Sequence, residues 1–351
     1  MAFCLAICLL ATQGKAWNMN KPDVIATDRA TNKKPQGLIQ VGLSACLAGH
    51  NVRYNGGHTQ SRLCLNKLIQ HFTFHAFCPE VSAGFSTPRP AMRLTGDPSS
   101  PQLVFSNAGA ANLREQLNKG ISSILPKLST LDGYILMKNS PTCGLERVKV
   151  YQPDGHPHAI RTAGLFTQAL TKQYPLMPIE EEGRLHDDKL LDNFLLRVYA
   201  YSNFRREVLN APSMHKLISF HSSYKYVLMA HNQKIYRYLG QLLNGQQKGP
   251  LEQLLNNYLG CFMQALAKPA DRNNHANTLL HILGYLKKSV SSMARQQIVE
   301  VIYKYKQGIV PLTTPLTLLA HYLTQYGSSY IKGQRYLAPY PESLNPLARH
   351  I

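Results

Sequence analysis

Acidic residues are scarce in this sequence. Only 19 Asp and Glu stand against 38 Lys and Arg in 351 residues, a formal net charge of +19. Charged residues make up 16% of the chain, below the usual ~25%, and the shortfall is almost wholly acidic. A solvated surface ordinarily mixes both signs. The bias therefore points to a polyanionic partner, nucleic acid or anionic lipid, with a basic surface that has no specific partner as the alternative. Long apolar runs are missing as well: none approaches the roughly 20 residues of a membrane-spanning helix, which excludes a membrane span of that kind. A hydrophobic fraction of 44% excludes wholesale disorder. The length suggests two domains, at roughly 150 residues each.

The seven cysteines (Cys4, Cys8, Cys46, Cys64, Cys78, Cys143, Cys261) lack the order of a disulfide framework. Their number is odd, their spacing irregular, and the chain far longer than a disulfide-stapled miniprotein. Free or metal-binding thiols in a reducing, cytoplasmic compartment fit better. Residues 1–12 are apolar, and Gly14-Lys15-Ala16 resembles a cleavage site, but no Lys or Arg precedes the apolar stretch as a signal peptide requires. Met19 opens a second start before a polar stretch. Residues 1–37 are therefore read as a dispensable leader or a start-site artefact, and Cys4 and Cys8 carry no further weight.

Residues 38–43, 72–77 and 134–137 read as strands, with helix-like segments at 61–70 and 110–127 between them. Alternation of strand and helix implies βαβ units and a mostly parallel, Rossmann-like sheet. Cys46, Cys78 and Cys143 each follow the carboxyl end of one of these strands. In open α/β sheets that edge forms binding crevices, so three distant thiols can converge there. Cys64, inside a helix-like segment, reads as a buried core thiol, and Cys261 likewise.

Composition shifts near residue 180, at an acidic cluster after Pro175 and Pro178. The boundary set there separates an α/β domain (38–175) from an all-α domain (176–351). Helices are expected at 190–201, 213–243, 251–267, 277–289, 294–307 and 316–326. Within 213–243, Leu217, Tyr224, Leu228, Ile235, Leu239 and Leu242 recur at helical spacing, which predicts one long helix.

Three thiolates on separate loops can hold a zinc ion or an iron–sulfur cluster, or be inert. The C-x₂₋₄-C pairing of structural zinc sites is absent once Cys4 and Cys8 are set aside. No fourth cysteine stands at a comparable loop position. Three ligands to a [4Fe–4S] cube leave one iron open, and an open iron is a Lewis acid with an affinity for sulfur and oxygen donors.

The residues around the cysteines narrow this. Ser44-Ala45-Cys46-Leu47-Ala48-Gly49, Val52-Arg53-Tyr54-Asn55-Gly56-Gly57, Phe77-Cys78-Pro79-Glu80-Val81, Pro88-Arg89-Pro90 and Ser140-Pro141-Thr142-Cys143-Gly144 follow one another in that order. Together, over residues 38–170, they resemble the thiouracil/thiouridine desulfurase family (TudS-like). The second half is similar to the YbgA C-terminal domain. It carries that likeness in Glu180-Glu181-Glu182-Gly183-Arg184-Leu185, Leu228-Met229-Ala230-His231, Gly308-Ile309-Val310-Pro311-Leu312 and Gln334-Arg335-Tyr336-Leu337-Ala338-Pro339-Tyr340-Pro341. The pair resembles the tRNA thiouridine desulfurases, in which the helical domain holds the RNA.

The resemblance implies a [4Fe–4S] cluster on Cys46, Cys78 and Cys143 with one iron free for the substrate's sulfur. Water then replaces sulfur on the pyrimidine, leaving uridine and sulfide. It implies Glu80 as acid/base and Ser140 as a residue orienting substrate or water; Ser44, Arg53 and Arg89 are read as substrate-binding. The chemistry alone leaves plainer roles open. Glu80 suits a helix N-terminus, Ser140 before a proline suits a turn, and Arg53 and Arg89 suit ion pairs as well as a substrate phosphate. His156 and His158, in a Pro/Gly loop, read as exposed turn residues. Thr142, where the family commonly has serine, and Asn139 are expected to touch neither a ligand nor Glu80. Tyr224 stands where the helical domain's pattern leads to a histidine.

Residues 194–351 hold 18 Lys/Arg against 5 Asp/Glu, and 15 of the 19 tyrosines. Lys and Arg neutralise phosphates while tyrosines stack on bases, although tyrosines at helical spacing are more often core. His221, Lys225, Asn232 and Gln233 fall off the apolar stripe and make a candidate RNA-facing side, or simply a solvated face. The resemblance, together with this basic half, implies a desulfurase acting on thiouridine, with 4-thiouridine in tRNA foremost. The alternatives are an enzyme of free thiouracil or thionucleotides, and a non-enzymatic Fe–S or zinc sensor that binds nucleic acid. No obligate protein partner is evident.

Overall fold

A computed structural model describes residues 23–25, 38–107, 111–244 and 249–350. The apolar N-terminal stretch and Met19 lie outside the described residues. Among the described residues, eight strands form two sheets: β1 (Asp23–Ile25), β2 (Ile39–Ser44), β3 (Phe72–Phe77), β4 (Met92–Thr95), β5 (Gln102–Phe105), β6 (Gly133–Leu136), β7 (Val150–Tyr151) and β8 (Ile179–Glu181). The main sheet runs β1-β3-β2-β6-β8, with β1 antiparallel and the other four parallel; the small sheet runs β5-β4-β7. The apolar composition of β2, β3 and β6 follows from burial on both faces, as expected of a parallel sheet. Ser44 pairs with Phe77 and Leu43 with Ile135, so these three neighbouring strands end nearly level.

One face of the sheet is covered by α2 (Arg114–Ile124) and α3 (Leu165–Gln173), which follow a single-turn α1 (Pro79–Ser82). Phe77, Tyr134 and Phe166 pack there with Leu117, Ile121 and Leu170. The segment expected as helix 61–70 is instead a wide π-type turn (Leu63–Lys67) followed by a 3₁₀ turn (Leu68–Gln70). So short a stretch has little helical stability of its own, and burial of Cys64 and Leu68 decides its shape. Past α2, Pro126 offers no N–H to continue the helix, and the chain tightens into 3₁₀ over Leu125–Leu128.

The second half is helical: α4 (Asp188–Phe204), α5 (Met214–His231), α6 (Gln233–Leu243), α7 (Leu251–Ala265), α8 (Arg272–Leu283), α9 (Ser292–Lys306) and α10 (Thr313–Tyr326). Asp187, Ser213, Asn232, Asp271 and Ser291 cap α4, α5, α6, α8 and α9 with side-chain oxygens on backbone N–H groups. Each such cap stabilises its helix by about 1 kcal/mol. The single helix expected over 213–243 is broken at Asn232, whose extended backbone and Oδ1 acceptor for Ile235 N (3.0 Å) start a new helix. No described helix is long and apolar enough to cross a membrane.

The two halves share a core. Val41, Leu43, Phe72 and Phe74 on the other face of the sheet pack in one cluster with Phe194, Leu195 and Val198 of α4. The acidic cluster at the expected boundary supplies β8, the strand beside β6. Arg205, just past α4, locks the junction: its guanidinium donates to Leu131 O (2.7 Å), Thr130 O (3.2 Å) and the buried Asp132 carboxylate (3.1 Å). Arg205→Ala strips that carboxylate of its nearer cation. The expected cost is about 1–3 kcal/mol, read as a lowered urea midpoint with unchanged helix content at pH 7.

Candidate functional site

The level ends of β2, β3 and β6 carry the three cysteines. Cys46 lies in the turn directly after β2, and Cys78 caps the N-terminus of α1 directly after β3. Cys143 is seven residues past β6 and returns to the same edge because its loop is fastened on several sides. Ser44 Oγ accepts from Met137 N (3.0 Å), and Glu181 of β8 accepts from Leu145 N (2.8 Å). Thr167 donates to Cys143 O (2.9 Å). Gly164 permits the close approach of α3: a Cβ there would stand 2.4 Å from Thr142 O and 2.8 Å from Cys143 N. Asn139, at φ 57°, takes a left-handed turn that asparagine tolerates better than most residues.

Cys78 and Cys143 are buried and Cys46 is partly open. Burial pushes the thiols of Cys46 and Cys143 up to about 12, and raises that of Cys78 as well. The negative charge of Glu80 adds to each shift. So do the cysteines themselves, Cys78 acting on Cys46, Cys143 on Cys78 and Cys46 on Cys143. The Arg53 guanidinium acts in the opposite sense on Cys46. Among the described residues, no three His, Cys, Asp or Glu side chains close around a single-ion position. Tyr134 of β6 is buried in the same cluster as Phe77 and Cys143. Its ring is fully buried, its hydroxyl has no hydrogen-bond partner, and its ionisation is opposed first by burial and then by all three cysteines.

Glu80 lies in the first turn of α1, two residues past Cys78, and its carboxylate is held from both sides. Oε1 accepts from Thr142 Oγ1 (2.6 Å) and Oε2 accepts from Arg89 Nη2. Arg89 is buried and otherwise occupied, donating to Ser86 O (3.0 Å), Thr87 Oγ1 (3.1 Å) and Val52 O (3.1 Å). Its guanidinium therefore fixes Glu80. The expectation that Thr142 touches neither a ligand nor Glu80 is overturned: besides Glu80, its hydroxyl lies 3.6 Å from Cys143 Sγ. Ser140 Oγ accepts from Thr142 N (3.2 Å) and Cys143 N (3.1 Å). It also lies 2.9 Å from Thr142 Oγ1, and since that hydroxyl's one proton goes to Glu80, Ser140 donates to it. Ser140, Thr142, Glu80 and Arg89 thus form one chain of hydrogen bonds beside the thiols.

Arg53 donates to Thr59 Oγ1 (2.7 Å) and leans over Tyr54, its charge still felt at Cys46. Cys64 is completely buried elsewhere, under Ser61. In the helical half, His221 is not free: its Nδ1 meets Tyr258 OH at 3.1 Å, its ring stacks on Tyr236, and burial pushes it down to about 4. Lys225 lies over the Tyr226 ring at 5.3 Å. Tyr224 is fully buried against Phe220 and Phe262. Two cavities, of about 620 and 870 Å³, lie away from the cysteines. The sequence reading missed Tyr134 and Thr142. The signals available were a tyrosine inside a short aliphatic strand leading to that edge and a hydroxyl adjoining a site cysteine.

The 2-thiouracil desulfurase family matches residues 41–182, and a family described as protein of unknown function (DUF1722) matches residues 225–341. The chain is 33% identical over 155 residues to the uncharacterized protein YbgA of Escherichia coli (strain K12), covering 44% of this chain and 92% of that protein. It is 32% identical over 108 residues to the uncharacterized protein YbbK of Bacillus subtilis (strain 168), covering 29% of this chain and 71% of that protein. A solved [4Fe-4S]-dependent thiouracil desulfidase, TudS, aligns at 24% identity with a TM-score of 0.33, over 42% of this chain and 94% of its own. With its cysteine-bearing α/β half and its helical half each matched in this way, the chain belongs to the 2-thiouracil desulfurase family, fused to a YbgA-like domain.

Proposed function

We propose that this protein is a desulfurase that converts a thiolated pyrimidine, 4-thiouridine in tRNA, to uridine with release of sulfide. The reading includes a [4Fe–4S] cluster on Cys46, Cys78 and Cys143. The observation that carries it is the convergence of three cysteines on one sheet edge with a carboxylate pinned beside them. The donor set fits such a group: three thiols on loops at one sheet edge, beside a buried tyrosine whose hydroxyl has no hydrogen-bond partner. When bound, the cluster supplies a Lewis-acidic iron without a protein ligand, suited to a thione sulfur. A reducing, cytoplasmic setting suits these thiols.

The chain's own residues do the rest. Arg89 and Thr142 hold Glu80 by both oxygens, which fixes where its carboxylate can take a proton from attacking water and return one to the ring or leaving sulfur. Ser140 holds Thr142 in place, and its contacts with two amides shape the Cys143 loop. The basic charge of the helical half, +13 from residue 194 onward, suits the phosphates of an RNA substrate. A second reading, an enzyme of free thionucleobases, draws on the ring contacts that already engage His221 and Lys225, two of the four residues singled out for RNA.

Substitution separates ligands from bystanders. Cys46→Ala, Cys78→Ala and Cys143→Ala should each abolish the brown cluster absorbance of anaerobically reconstituted protein, and the desulfuration with it. Cys64→Ala should keep both. A retained cluster in any of the first three variants contradicts the ligand set.

A further inference from the structure

The 870 Å³ cavity lies in the helical half, at a size typical of small-molecule sites. It is bounded by the N-terminal part of α4, the end of α5, α8, the start of α10 and the tail that follows it. Three segments that distinguish this half in sequence, 228–231, 308–312 and 334–341, all contribute to it. Nothing in the desulfuration chemistry uses them.

The walls are aromatic and the polar groups are placed. Tyr336 and Tyr340 are buried; Tyr340 OH donates to Asp192 Oδ1, and Tyr336 OH meets His275 Nδ1 at 2.8 Å. The His275 ring stands 5.8 Å from Tyr336, 6.2 Å from Tyr305 and 6.4 Å from His231. His231 Nδ1 lies 2.9 Å from Val227 O. A carbonyl only accepts, so the ring carries its proton on Nδ1 and its Nε2 is a lone-pair acceptor. Burial pushes His231 down to about 4 and His275 to about 3, keeping both neutral. Thr313, only 6% exposed, is among the residues around the same cavity, and its Oγ1, shielded from solvent, meets no partner. A buried hydroxyl left unpaired calls for an explanation, and a ligand supplies one.

Charge limits what that ligand can be. Of the eight acidic residues from 187 onward, five (Asp187, Asp188, Asp192, Asp271 and Glu342) line the cavity, against Lys189 and Arg272. Arg272 is already engaged, donating to Tyr305 O at 2.8 Å. An anion finds no welcome inside, basic though the domain is. A compact cation must cross the field of a strongly positive domain to reach a carboxylate already shared with Tyr340. A flat, uncharged ring bearing an amino group suits the acceptors, the hydroxyl and the aromatic walls together.

We propose that this cavity binds a nucleobase with an exocyclic amino group (adenine, cytosine or guanine), either in a free nucleoside or as an unpaired residue of RNA. The amino group donates to the Asp192 and His231 acceptors, the Thr313 hydroxyl turns about χ1 to complete the polar contacts, and any phosphate stays outside. Only the RNA source rests on the function proposed above.

Calorimetric titration of the full chain at pH 7.5 tests this with adenosine, cytidine, guanosine, uridine, ribose 5-phosphate, spermidine and the oligoribonucleotide A5. The amino-bearing nucleosides should bind one to one and at least about tenfold more tightly than uridine, the equivalent of about 1.4 kcal/mol. Thr313→Val should weaken them by a similar factor. Because it removes an unsatisfied hydroxyl, its melting temperature should be unchanged or raised, so lost binding there is not unfolding. Salt-sensitive A5 binding tighter than adenosine identifies the RNA source, and equal binding the free nucleoside. The inference is overturned by no nucleoside binding, by equal binding of uridine, by competition from spermidine or ribose 5-phosphate, or by full binding in Thr313→Val. Loss of nucleoside binding with desulfuration of thiolated tRNA intact overturns this inference alone.

Discussion

Glu80→Gln should slow sulfur removal by about 10²–10⁴-fold, the range typical of a lost general acid/base, with iron and sulfide content unchanged. The substitution keeps the size and planarity of the side chain. Its amide oxygen can still accept from one neighbour, so α1 and the Cys78 turn should survive. Arg89 would lose its charge partner but keeps Ser86 O, Thr87 Oγ1 and Val52 O, which hold the guanidinium where it is. What disappears is a carboxylate able to take a proton at a fixed point beside the three thiols. The competing role for Glu80 is an anion at the start of a single-turn helix, which needs no proton transfer. Turnover per cluster within about threefold of the wild type would favour that role; the proton-transfer role predicts a far larger loss.

The helical half should lose stability in mild acid. His221 and His231 are held at about 4 and His275 at about 3, burial being the leading cause in each, against an ordinary value near 6.5. The folded state thus binds fewer protons than the unfolded chain in this window. These groups contribute their full stability above pH 6.5 and lose it as the pH falls toward 4 and then 3. A tenfold change in proton affinity is worth about 1.4 kcal/mol, so three such groups amount to several kcal/mol, comparable with a domain's whole stability of roughly 5–15 kcal/mol. Asp192 works the other way. Its carboxyl is raised to about 6 by burial, so it gains stability as the pH falls from 6 toward 3.8, offsetting about one histidine. The net effect remains a loss. Urea midpoints by circular dichroism at pH 7.5 and 4.5 measure it: the midpoint should drop sharply, and the drop should shrink in His231→Gln. An unchanged midpoint would contradict the buried, neutral histidines.

The catalytic half is largely readable from local pattern. Three apolar runs of strand length, each leading to a cysteine, suffice to place three thiols on one edge, and the strand register brings their ends level. The contacts of Thr142 are not readable that way. They depend on a turn closed by Ser140 Oγ and on the distance to α1, both set by tertiary packing. Periodicity overran Asn232 because the apolar spacing continues through it, while the break is made by one capping oxygen. The acidic residues 180–182 look like a linker by charge, yet Glu181 is buried in β8 and fastens the Cys143 loop. The cavity of the helical half joins side chains from residue 187 to residue 348, and no window of sequence contains it.

The central claim is tested most directly by incubating the anaerobically reconstituted full chain with tRNA containing 4-thiouridine. The thione absorbance and released sulfide are followed together, with free thiouracil as the parallel substrate. Loss of the thione band with one sulfide per base, in wild type but not in Cys143→Ala, is the predicted result. An intact thione band with a fully loaded cluster, on tRNA and free thiouracil alike, would contradict it.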